Sequence, residues 1–192
     1  MSTKDKVGIA DGCDAMVERG AGITEESGVK GKFFAQCFDE LGTLKWEDFI
    51  DNLVVTVGKN DILDKYFAGA GYTAAIYMGL ISSVSFNTIV AGDTMGSHAG
   101  WFEAATANQP TYSQANRPTV TFNAAAAGNK ASNGAVTFSM TGNGTAKGCF
   151  MTTNNTKDGT TGILVSAGLF SGGDKVVQSG DTLNVTWQIG LT

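Results

Sequence analysis

The stretch that most restricts what this chain can fold into is "TLNVTWQI", Thr182 to Ile189. Leu183, Val185, Trp187 and Ile189 fall on one side of an extended chain, and Thr182, Asn184, Thr186 and Gln188 on the other. A period of two with one polar face predicts a strand in an antiparallel sheet packed on one side only. "AVTFSMT" repeats the pattern, setting Val136, Phe138 and Met140 against Thr137, Ser139 and Thr141. "VTFNA", "KGCFMTT" and "GILVSAGLF" are further strand-like runs, and "AAIYMGLI" reads as a buried one. The 26 glycines and only two prolines suit many short strands joined by tight turns. The expected fold is mainly β: an antiparallel two-sheet β-sandwich with one short helix and an extended N-terminal arm.

Charge divides the chain. Up to Lys65 there are 13 acidic and 8 basic residues, whereas from Tyr66 to Thr192 there are 5 of each. Residues 1–30 show no sustained period and read as an arm, either a disordered tail or a segment ordering on a partner subunit. Val7, Ile9, Met16, Ile23 and Val29 are its candidate apolar anchors. Residues 31–192 form the expected sandwich domain, as a hairpin over 31–51 and a body over 52–192. In the hairpin, "KFFAQCF" and "TLKWEDFI" flank the turn text "DELG". "NLVVTVG" (52–58) reads as a third strand. "NDILDKYFAG" then places Ile62, Leu63, Tyr66 and Phe67 on one helical face, with Asn60 as N-cap and Gly69 as the closing residue.

One phrase occurs twice. "MGLISSVSFNTIVAGDT" (78–94) and "AGLFSGGDKVVQSGDT" (167–182) both run from Gly-Leu-apolar-Ser to Gly-Asp-Thr. Two similar corners, in which an Asp side chain accepts backbone N–H bonds, explain the echo. A true internal duplication is the other explanation. In neither case is the phrase a catalytic signature.

Chemistry-bearing motifs are scarce. His98 is the single histidine, no G-x-S-x-G elbow occurs, and "GAGYTA" (69–74) follows a helix where a dinucleotide fingerprint would follow a strand. Cys13, Cys37 and Cys149 are too widely spaced for a metal site and read as reduced, apolar thiols. No cofactor is expected. A net charge of −5 argues against a nucleic-acid partner, and no run of eighteen apolar residues suggests a membrane span. The opening text lacks an apolar signal core, so Sec export is not expected. Glu103 and Arg117 flank a long loop and form a candidate structural ion pair; two separately solvated side chains are the alternative. Trp46, Trp101 and Tyr112, with Tyr72, are candidate stacking faces for a glycan, with core packing as the competing explanation.

The order Asn52-Leu53-Val54, Gly58, Leu63, Tyr77-Met78-Gly79-Leu80, Ala91-Gly92-Asp93-Thr94, Trp101 and Glu103 resembles small structural proteins of tailed bacteriophages. Ala167-Gly168-Leu169-Phe170 and Gly180-Asp181-Thr182-Leu183, with Val185 and Trp187, continue the likeness to the C-terminus. These are virion proteins of the tail-fibre and head-decoration type. The resemblance implies a non-enzymatic homo-oligomeric subunit, assembled in a bacterial cytoplasm and bound to other virion proteins. A tail-fibre or tail-attachment role, on a portal or tail adaptor, is the leading expectation. Capsid decoration on a major capsid protein is the alternative, and binding of a host surface glycan the remote one.

Overall fold

The structure is a computed structural model that describes residues 28–71 and 75–191. In chain order the elements are β1 (Val29–Phe38), β2 (Leu44–Val54), α1 (Thr56–Phe67), β3 (Ile76–Ser82), β4 (Glu103–Ala104) and β5 (Thr119–Val120). They continue as β6 (Asn129–Ala131), β7 (Val136–Ser139), β8 (Gly144–Thr152), β9 (Leu164–Phe170), β10 (Lys175–Val177) and β11 (Thr182–Leu191). All strand pairs are antiparallel. The strands do not separate into two hydrogen-bonded sheets. One path, β4-β3-β8-β9-β2-β1-β11-β6, joins them, with β10 on β8, β5 on β3 and β7 on β11. The chain is mainly β with one helix among the described residues.

The inner face of this sheet meets one principal core. Phe33 and Cys37 from β1, Ile50 from β2, Leu80 from β3, Cys149 from β8 and Leu183, Val185 and Trp187 from β11 all belong to it. Because β1, β2 and β11 bury one face only, burial alternates along them, and in β11 the text alternates with it. A second, smaller cluster lies on the outer face of β3, β8 and β9, where Ile81, Phe150, Leu164 and Ala167 are covered by Met95 and Trp101. β3 and β8 are therefore buried on both faces along much of their length, which accounts for the apolar runs 76–81 and 148–151.

The hairpin turn works through Asp39, whose Oδ1 accepts the N–H groups of Leu41 (2.9 Å) and Thr43 (2.8 Å), while Gly42 takes φ 80°. The separate strand expected over 52–58 is not there. Residues 52–54 finish β2, and Thr56 already opens α1. The helix starts ahead of the expected N-cap Asn60; its cap is Val55, which has no capping side chain. Gly69 closes it at φ 67°, with the Ala70 N–H returning to the Asp64 carbonyl. The apolar stripe also faces outward. Gly58 is the one buried residue of α1, and the helix meets β9 there, with the carbonyl of Val165 where a Cβ would stand.

Candidate functional site

The densest polar arrangement lies under the loops that cover β3 and β8. Glu103 pairs with Ile81 on the outer face of the sheet, beside Gly79. A Cβ at Gly79 would run into the Phe150 ring and lie 3.1 Å from Glu103 Oε1, so the glycine makes room for both. Arg117 grips Glu103 with two bonds, Nε to Oε1 at 2.9 Å and Nη2 to Oε2 at 2.7 Å, both side chains being almost fully buried. Its remaining donors reach the carbonyls of Asn154 and Gly159 at 3.0 Å each, and its plane lies 5.3 Å from the Phe150 ring centroid. Glu103 Oε2 also accepts the Asp158 N–H at 2.7 Å. Such a pair is tolerated in the interior because its polar atoms find partners.

Two neighbouring residues complete this staple between loops 105–117 and 153–163. Asp158, at φ 55°, accepts the N–H groups of Thr106 and Ala107. Lys157 donates to the carbonyls of Tyr112 (2.9 Å) and Gln114 (2.8 Å) and sits 3.8 Å from the Tyr112 ring centroid. Burial lowers the Lys157 pKa, opposed by the nearby Glu103 and Asp158 carboxylates.

The repeated phrase builds the same turn twice. Asp93 N–H donates to the Val90 carbonyl while Asp93 Oδ2 accepts the Val90 N–H; Asp181 and Gln178 make the same reciprocal pair. The third partner differs. Asp93 Oδ2 accepts the buried Trp101 Nε1–H at 3.0 Å, whereas Asp181 Oδ2 takes Lys45 Nζ at 2.5 Å. The two copies run up to their turns from β3 and β9, which flank β8.

A cleft of about 260 Å³ opens beside the staple, bordered by His98, Phe102, Asn108, Asp158 and Thr160. His98 stacks on Trp101 with ring centroids 4.1 Å apart, and its Nδ1–H donates to the Trp101 carbonyl at 2.9 Å. Glu103 borders the same cleft, but Arg117 holds its two oxygens. The polar groups here bind one another and fasten loops, which is a structural use of charge.

The structure thus brings Glu103 and Arg117 together across the long loop. It separates the aromatic candidates. Trp101 is 0 % exposed and Tyr112 3 %, so neither ring presents a face to a glycan, and that expectation is corrected: both rings cover core. Trp46 is half-buried, donating Nε1–H to the Val176 carbonyl and meeting Phe170 edge-on. Val29 opens β1 opposite Leu191. Val7, Ile9, Met16, Ile23, Cys13 and Tyr72 lie outside the described residues. Lys157 and Asp158, missed in the sequence, carried one signal: they are adjacent members of the ten charges beyond Lys65.

Two outward surfaces remain. On α1, Leu63 is 52 % exposed, Tyr66 81 % and Phe67 77 %. On the β1–β2 hairpin, Phe49 is 51 % exposed and packs on Phe34 at 4.8 Å. Among the described residues no helix is long and apolar enough to cross a membrane, and no group of three or more His, Cys, Asp or Glu could hold a metal ion. No family model, no curated protein and no solved structure matches this chain.

Proposed function

We propose that the chain is a non-catalytic structural subunit of a tailed-bacteriophage virion, a homo-oligomer of the tail-fibre or tail-attachment class that docks at the head–tail region. In this reading the single sheet curls over its core as the two layers of a sandwich body. The observation that carries it is the outward stripe of α1. A helix that buries only a glycine and turns Ile62, Leu63, Tyr66 and Phe67 to solvent supports an assembly role, since contiguous exposed apolar side chains mark contact sites. The staple supports the same reading, because it commits the polar groups of the body to holding loops rigid. Cys37 and Cys149 are free and buried, as suits assembly in a reducing bacterial cytoplasm. Burial, with the nearby Asp181 carboxylate, pushes the Cys37 thiol up to about 12 and keeps it protonated.

Quantitative mass spectrometry of purified particles tests the proposal. Copies matching the tail symmetry support a tail protein, and large numbers on the capsid surface favour decoration instead. Absence from the particle overturns the virion reading. Removing residues 1–27, which stops short of β1, should leave the melting temperature nearly unchanged and prevent incorporation.

A further inference from the structure

The outer face of the β1–β2 hairpin carries three cross-strand rows, Lys32 opposite Asp51, Phe34 opposite Phe49, and Gln36 opposite Glu47. Within one chain each row already pairs. Lys32 Nζ lies 3.4 Å from Asp51 Oδ1, the rings pack at 4.8 Å, and Gln36 Nε2 donates to Glu47 Oε2 at 3.1 Å. The face is open, with the Lys32 and Asp51 side chains 56 % and 83 % exposed.

We propose that this face is the contact between two copies of the chain, related by a two-fold axis that runs along the hairpin between β1 and β2. The inference rests on the oligomeric part of the proposed function. A two-fold in that direction lays β1 of one copy over β2 of the other at the same height. Every residue then meets the second copy's version of its own cross-strand neighbour. Lys32 meets Asp51, Phe34 meets Phe49 and Gln36 meets Glu47, each contact occurring twice, as an isologous interface requires. On the flanks, Gln188 of β11, beside Lys32, comes over Leu169 of β9, beside Asp51, with no charge opposed. A two-fold across the strands, centred on the aromatic row, would instead set Asp51 on Glu47, carboxylate on carboxylate. Charge therefore selects the axis along the hairpin. Stacked sheets stay within about 30° of alignment at a spacing of about 10 Å, so the rows nearest the axis keep their match.

Sedimentation of the purified full-length chain over a concentration series provides the test, with circular dichroism confirming that each variant is folded. The wild type should self-associate to a dimer. Lys32→Glu alone sets a second carboxylate against Asp51 at each contact, and Asp51→Lys alone sets a second ammonium against Lys32. Each should weaken association by about tenfold or more. Mixed together, the two variants pair opposite charges at both contacts and should form a heterodimer of near wild-type affinity. A monomeric wild type, or single variants that associate as well as it does, would overturn the interface. Loss in both variants without rescue in the mixture would overturn the two-fold. None of these results depends on the chain's place in a particle, which the copy-number measurement decides separately.

Discussion

Over β3, β8 and β9 the outer face of the sheet is covered by loops, with Trp101 on Phe150 and Arg117 on Glu103, whereas over β1 and β2 the same face meets solvent. Both regions contain aromatic contacts and an ion pair, yet the contacts differ in kind. The Glu103–Arg117 side chains are 4 % and 1 % exposed; those of Lys32 and Asp51 stand mostly in water. Burial, rather than the identity of the pair, sets what each interaction contributes. Removing a partner from the covered half leaves a desolvated group behind, while in the open half water takes its place.

The largest effect is expected at Trp101. Trp101→Ala removes a fully buried ring and leaves Asp93 without its indole donor, so it should fall near the top of the range of about 3–5 kcal/mol for such truncations. Phe49→Ala, which loses a half-exposed ring and its contact with Phe34, should cost about 1 kcal/mol. Equal shifts in urea midpoint would break the comparison. Arg117→Ala comes next, at about 3–4 kcal/mol, because it strips both guanidinium bonds from the buried Glu103 and leaves the Asp158 N–H as its hydrogen-bond donor. Replacing Glu103 and Arg117 together by methionine should cost less than Arg117→Ala alone, and a double-mutant cycle measures the difference.

How far the sequence foretells each half follows from the same contrast. The open half is legible: alternation in β11, strand text in β1 and β2, and Asp39 with Gly42 at the turn are local signals. The covered half shows in sequence only that β3 is buried and that β8 is a strand. What buries them depends on Trp101, Arg117 and Lys157, which arrive from distant loops and have no local period to betray them. The helix departs from its sequence signals at both its start and its face. Val55 offers no cap signal, the text of residues 54–57 is rich in β-branched side chains and reads as strand, and the stripe at Ile62, Leu63, Tyr66 and Phe67 marks a helical face without saying whether the face points inward. The sequence suggests two sheets because strand text carries no record of which strands share hydrogen bonds, and here one path links them.

A smaller effect, with a signature in the acid limb, is expected at Asp48 of β2, the strand that pairs with β9. Burial raises its pKa, but bonds from Lys175 Nζ and from the N–H groups of Gly172 and Phe49 lower it further, leaving it below the ordinary carboxylate value. A folded-state pKa below the unfolded one means stability that is complete above the unfolded value of about 3.9 and lost as pH falls through the lower folded one. Asp48→Asn should therefore be less stable than wild type at neutral pH and should flatten the decline in stability below about pH 4. An unchanged acid limb in chemical denaturation would show that Asp48 gains nothing from Lys175.

The smallest effect is expected at Lys32, and it separates stability from association. Its ammonium lies 3.4 Å from Asp51 and 5.6 Å from the Phe49 ring centroid, so two contacts are lost in Lys32→Ala. Both are exposed. Exposed ion pairs contribute about 0–1 kcal/mol, because the charges are well solvated when apart and two long side chains must be held still when together. At dilutions where the chain is monomeric, Lys32→Ala should therefore shift the unfolding free energy by less than about 1 kcal/mol, and by less again in high salt. On the proposed two-fold, the same substitution removes both Lys32–Asp51 contacts between copies and should raise the dissociation constant. A loss of monomer stability approaching that of Arg117→Ala would show that the open half is held by its charges after all, and that the contrast between the two halves of the sheet is false.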